Sequence, residues 1–154
     1  MEGTLLIVED EEDDIFFLKR ALNKVGVNNP VQVVQDGYLA VEYLKGEGQF
    51  ADRACYPLPA LIFLDLKLPR FHGFEVLKWI RAETTLPPIP VIVLTSSTVK
   101  DDIERSYRLG ANSYVVKPST PDHLIQVATA FRDWWLQQTA LVERTIVVRE
   151  PFLA

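Results

Sequence analysis

The sequence predicts an α/β fold: a doubly wound, five-stranded parallel sheet with helices on both faces. Three observations predict it. Short apolar runs alternate five times with segments of helical period along the 154 residues, the pattern of repeated βα units. Those runs are near-continuous in Val, Ile and Leu instead of alternating with polar residues, as strands buried on both sides require. Acidic, hydroxyl and lysine side chains gather where the runs end.

Residues 4–8 open as a short β-rich run, followed by a helical pattern with Ile15, Leu18, Leu22 and Val25 on one face and an end near Gly26. Residues 31–34 form a second strand. Asp36-Gly37 then turns the chain into a helix carrying Leu39, Ala40, Tyr43 and Leu44, and residues 46–59, mixed in Gly, Pro and polar side chains, read as a loop longer than most. Residues 60–64 make the third strand, ending at Asp65. A loop with Pro and Gly leads to a third helix marked by Phe74, Leu77 and Ile80. Pro87, Pro88 and Pro90 introduce the fourth strand, residues 91–94. A weaker helix follows over 99–109, with Ile103 and Tyr107 its main apolar points, and 113–116 is the fifth strand. Thr120-Pro121 supplies an N-cap and first-turn proline for a long last helix, whose core face is Leu124, Val127, Ala128, Phe131 and Trp135. The flavodoxin-like strand order 2-1-3-4-5 suits five such units.

Composition excludes several functions. The chain is 48% hydrophobic and 24% charged, as in ordinary globular domains, and its net charge of −5 comes without any Lys/Arg cluster, so direct nucleic-acid binding is not expected. Its longest apolar runs fall far short of the ~20 residues that span a bilayer. No signal-peptide pattern opens the chain, and Cys55 is its one cysteine, which leaves no intrachain disulfide or Cys-based metal site. A cytoplasmic location is expected, with one domain over residues 1–138 and a tail over 139–154.

In open α/β sheets ligands bind beyond the carboxyl ends of the strands. There the sequence places Glu9 and Asp10, Asp65, Thr95 and Ser96, and Lys117-Pro118. With the first strand between the second and third, its acids lie beside Asp65. Three carboxylates in one crevice require raised pKa values or a bound cation. Lys117 and Thr95 favour the cation: an open oxygen site suits Mg²⁺ with phosphate as co-ligand, and Asp65 is placed to act as nucleophile in a phosphoryl site. Six acids run consecutively from Glu9 to Asp14. Glu9 and Asp10 are the functional pair, whereas Glu11, Glu12, Asp13 and Asp14 form the first turn of a helix, where the dipole favours negative charge and one of them can cap it.

This set resembles the receiver domain of two-component response regulators, in the contexts "LLIVED", "LIFLDLKLPRFHGFEVLKWIR", "PVIVLTSS" and "GANSYVVKP", over roughly residues 3–138. The resemblance implies a CheY-like fold and a non-enzymatic phosphoacceptor, with Asp65 taking a phosphoryl group from a sensor histidine kinase. It implies that Glu9, Asp10, Asp65 and the backbone carbonyl of Lys67 hold Mg²⁺, and that Lys117, Thr95 and Ser96 contact the phosphoryl group. It further implies that Thr95 and Tyr114 form a switch pair and that Lys117–Pro118 is a cis peptide. Signalling would leave by the surface of the fourth helix, fifth strand and fifth helix. Glu9 stands where aspartate is commoner, which bears on how directly it reaches the metal, and Lys67 stands where a smaller polar residue is usual, which bears on the lifetime of the phosphorylated state.

No output domain is expected after the receiver, and the chain resembles stand-alone regulators. The long loop after the second helix, "LDLKLP", "LTSS" and "KPSTPDHL" are most similar to the single-domain regulators of phytochrome histidine kinases. A phosphohydrolase with an aspartyl nucleophile is the enzymatic alternative, but such enzymes carry a second Asp where this chain has Lys67. A pseudo-receiver that binds partners without phosphorylation is disfavoured by the complete acid, Asp, Thr and Lys set. At the far end, "ERTIVVREPFLA" is either a frayed tail or an arm on a second subunit, added as a strand or exchanged. A homodimer through the fourth helix, fifth strand, fifth helix and this tail is favoured. His72, His123, Cys55, Trp79, Arg105 and Arg108 take structural or surface readings.

Overall fold

The computed structural model describes residues 2–148, with side chains described as far as Leu136. Its elements follow the chain as β1 (Leu5–Val8), α1 (Glu12–Lys24), β2 (Val31–Val34), α2 (Gly37–Lys45), β3 (Leu61–Leu64), α3 (Gly73–Ala82), β4 (Val91–Thr95), α4 (Lys100–Arg108), β5 (Ser113–Val116) and α5 (Pro121–Val148). The five strands form one parallel sheet in the order β2-β1-β3-β4-β5. This is the flavodoxin-like topology expected from the alternation of strands and helices.

Residues alternate across the pleat, so each strand feeds two cores. Leu5, Ile7, Leu61, Phe63, Ile92 and Leu94 pack with Leu18 and Leu22 of α1 and Ala128 and Phe131 of α5. Leu6, Val8, Ile62, Leu64, Val91 and Val93 pack on the opposite face with Ala40 and Leu44 of α2 and Leu77 and Ile80 of α3. Every residue of β1, β3 and β4 is buried, whereas β5, at the sheet edge, is half-buried to exposed. Fully burying one such aliphatic side chain contributes about 1.5–3 kcal/mol, so these three strands fix the frame. Among the described residues no helix is long and apolar enough to cross a membrane.

The long connection after α2 is less loose than its composition suggests. It contains a 3-10 turn, Gly48–Phe50, and Arg53 donates to the carbonyls of Tyr43, Leu44 and Tyr56 at 2.7, 2.8 and 3.2 Å. One guanidinium thereby satisfies C-terminal carbonyls of α2 that a helix leaves without partners. The weak apolar pattern of α4 has a structural counterpart: its one fully buried residue is Ser106, while Tyr107 is exposed.

Two expectations need correction. The described residues contain no cis peptide, so Lys117–Pro118 is trans. Trans is the lower-energy isomer of an X–Pro bond by about 0.5–1 kcal/mol, and the trans chain already delivers the lysine side chain to the acids. Residues 146–148, considered as an added strand, are helical, because α5 runs through residue 138 to Val148. The segment 136–145 holds good helix formers and no Gly or Pro. Residues 149–154, including Phe152 and Leu153, lie outside the described residues.

Candidate functional site

Strand register brings the acids together. Val8 pairs with both Val34 and Leu64, so β1 and β3 end level with one another. The next residues continue the ladder: Glu9 N–H donates to Val34 O at 3.1 Å and Asp65 N–H to Val8 O at 3.0 Å. Both carboxylates are thereby carried into the crevice on fixed backbone, each only 6% exposed. One oxygen each from Glu9, Asp10 and Asp65 lies within 4.8 Å of the others. The chain leaves this corner through Gly73, the first residue of α3. A Cβ there would stand 2.3 Å from Asp65 O and 2.6 Å from Leu66 Cα, so only glycine lets the helix start against the acidic turn.

Lys117 arrives from the end of β5, where its N–H donates to Thr95 O at 2.7 Å. Its ammonium pairs with Glu9 Oε1, with Asp14 Oδ2 at 2.8 Å and with Asp65 Oδ2 at 3.1 Å. Asp65 Oδ1 accepts from Leu66 N–H at 2.7 Å. Glu9 Oε2 accepts from the N–H groups of Asp10 and Glu11 at 3.0 and 3.3 Å. Glu9, rather than an acid among residues 11–14, therefore meets the chain where it enters α1, whose N-cap Glu11 makes no side-chain cap bond.

Burial pushes the Glu9 carboxyl up to about 8, against the hydrogen bond from Lys117 and with the help of the Asp65 charge. Burial alone would lower the Lys117 ammonium. The hydrogen bonds to Asp14 and Glu9 and the charge of Asp65 more than offset it, and its pKa rises. Three carboxylates thus share one lysine, with Asp10 beside them. Such a site suits a hard, oxygen-preferring divalent cation, which would allow Glu9 to ionise.

Thr95 ends β4 fully buried, and its Oγ1 has no hydrogen-bond partner among the described residues. A buried orphan hydroxyl costs about 1–3 kcal/mol and marks a place where an incoming acceptor is wanted. Behind it, Tyr114 packs against the α2–α3 core, and its hydroxyl donates to Ser97 O at 2.8 Å. Burial raises the pKa of that phenol. Ser97 Oγ donates in turn to Asp102 Oδ2 of α4 at 2.6 Å. Ser96 and Lys67 are exposed on the loops after β4 and β3.

The roles of three residues are not evident from sequence. Asp14 reads as a helix-dipole acid, yet it holds Lys117; its signal is its place four residues before buried Leu18, on the inward stripe of α1. His72 Nδ1 accepts from Phe74 N–H at 3.1 Å and caps α3. Ser97 was hidden behind its neighbour Ser96, since two adjacent hydroxyls cannot be ranked before burial is known. Arg105, read as a solvated side chain, lies 4.3 Å from the centre of the Phe74 ring.

Comparison with known proteins identifies the family of this fold. Residues 5–129 match the family model of the response regulator receiver domain. The chain is 35% identical over 135 residues to the probable methanogenesis regulatory protein FilR2 of Methanothrix harundinacea, covering 86% of this chain and 83% of that one. Response regulator Rcp1 of Synechocystis sp. is 33% identical over 137 residues, covering 89% and 91%, and the crystal structure of its Mn²⁺-bound form superposes with a TM-score of 0.78 over 87% and 94% of the two chains. The crystal structure of the phosphorylated cyanobacterial phytochrome response regulator RcpA superposes with a TM-score of 0.81 at 38% identity, over 90% of this chain and 96% of that one.

Proposed function

Because the chain belongs to the response regulator receiver family, a family of phosphoacceptor signalling domains rather than enzymes, we propose that Asp65 is the acceptor and that the site around it is its phosphorylation machinery. The observation that carries this reading is the meeting of Lys117 Nζ with Asp65 Oδ2, 3.1 Å apart, beside two further carboxylates. In the transfer, a carboxylate oxygen of Asp65 attacks phosphorus in line, the bond to the donor's imidazole nitrogen breaks, and an acyl phosphate forms. Lys117 pairs with the added negative charge. The Thr95 hydroxyl gains the acceptor that it lacks, and Ser96 lies on the same loop within the proposed contact set. Tyr114, already bonded to the β4–α4 loop through Ser97, follows Thr95 and passes the change to α4.

Glu9, Asp10, Asp65 and the backbone carbonyl of Lys67 are the proposed Mg²⁺ ligands, and the ion supplies positive charge against the transferring group. The proposed donor is a sensor histidine kinase of the phytochrome class. The support is the similarity to RcpA and to the bacteriophytochrome response regulators RtBRR and AtBRR, 44% and 39% identical to this chain. Working with that kinase puts the protein in the cytoplasm. A homodimer through α4, β5 and α5, joined by the tail over residues 139–154, is the proposed assembly. Val99, Tyr107 and Val116 stand exposed on that face and support it.

The test of the phosphorylation site is intact mass after incubation with Mg²⁺ and a small phosphodonor. The parent protein gains one phosphoryl group and Asp65→Asn gains none. Label that persists in Asp65→Asn would remove Asp65 from this role.

A further inference from the structure

Lys117 has three carboxylate partners, and they are not equivalent. Glu9 and Asp65 belong to the close trio that suits a divalent cation; Asp14 does not. The side chains of Glu9 and Asp65 are each 7% exposed, whereas that of Asp14 is 43% exposed. All four residues line one small cleft. In this structure the ammonium therefore pairs with two of the carboxylates that a metal would also take.

We propose that Asp14 is a positioning residue that retains the Lys117 ammonium at the lip of the crevice when a divalent cation takes over the oxygens of Glu9 and Asp65. This rests on the phosphoacceptor reading of the site. A divalent ion and an ammonium on the same two carboxylates repel one another, so the lysine must retreat. It must also stay close enough to meet a phosphoryl group. Its backbone is pinned by the bond from its N–H to Thr95 O, which confines the retreat to a flexible four-carbon stem. Asp14 receives it at the partly exposed rim, in the first turn of α1.

The sign follows from counting partners. Without metal, Lys117 keeps Glu9 and Asp65 when Asp14 is lost; with metal, Asp14 is the carboxylate left to hold it. Removing the Asp14 charge therefore penalises the metal-loaded state more. Titration of the full chain with Mg²⁺ alone, followed by calorimetry, tests this, with circular dichroism to check that each variant is folded. Asp14→Asn is expected to weaken Mg²⁺ binding roughly three- to tenfold, and Asp14→Glu to restore most of it. In a Lys117→Met background the same Asp14→Asn change should shift affinity less than about twofold. An equal loss in both backgrounds, or no loss in the parent, would overturn the proposal while leaving the metal site standing. Absence of Mg²⁺ binding by the parent would overturn the metal reading and this inference together.

Discussion

Burial raises the Glu9 carboxyl from 4.5 to about 8, so between those values the folded, metal-free protein holds a proton that the unfolded chain has released. By linkage, this group's contribution to stability is full below about pH 4.5 and is lost as pH rises towards 8. Mg²⁺ works in the opposite direction, since it favours the ionised form. Its affinity should rise between pH 6 and pH 8 with release of a proton, measured as a dependence of the calorimetric heat on the buffer's ionisation enthalpy. Glu9→Gln should flatten both the pH dependence and the proton release. Thr95 carries a different tension. Its buried hydroxyl has no partner among the described residues, so Thr95→Val should leave the metal-free protein as stable as the parent or more stable by about 1 kcal/mol. The same variant should lose the conformational response to phosphorylation, read from chemical-shift changes in α4. A fall in melting temperature would show that the hydroxyl is bonded in the free protein. Gly73 was legible only as a loop glycine; its closeness to Asp65 O is the reason it must be glycine.

Among the elements, α3 and α4 are held by different chemistry. Buried Phe74, Val76, Leu77 and Ile80 anchor α3, and Arg81 near its end ties it to the loops beside it. The Arg81 guanidinium donates to Gly110 O, Ile89 O and Asn112 Oδ1 at 2.8–3.0 Å, while Asn112 Oδ1 also accepts from Val91 N–H at 2.9 Å. Arg81→Ala should cost about 1–3 kcal/mol in chemical denaturation, with phosphorylation of Asp65 retained. Its partners lie in two loops separated from it by proline-rich and polar sequence, which is why no periodicity disclosed them. By contrast α4 is fastened through Ser97–Asp102 and through the Tyr107 hydroxyl, which accepts from Tyr114 N–H at 3.1 Å. An element held by polar contacts and one buried serine opens more readily than a helix sunk in a core. A change at Thr95 and Tyr114 therefore has a responsive neighbour.

For the whole molecule, α5 packs its first turns into the α1 side of the core through Leu124, Ala128, Phe131 and Trp135, and the helix continues to Val148. Removing residues 140–154 should leave the receiver fold intact, as judged by circular dichroism. It should lower the mass in solution from dimer to monomer if the tail contributes to the proposed assembly; an unchanged dimer assigns that assembly to α4, β5 and the earlier part of α5 alone. By itself the sequence determined the parallel sheet and its order, because each strand's burial and each helix's stripe are local patterns that admit few packings. It also determined which residue types meet at the strand ends, because parallel strands present their carboxyl ends together. Only the tertiary structure decided that Asp14 shares Lys117 across 103 positions, that Lys117–Pro118 is trans, and that Thr95 is buried with no partner among the described residues. Those outcomes depend on distances between segments remote in the chain, and local patterns carry no such distances.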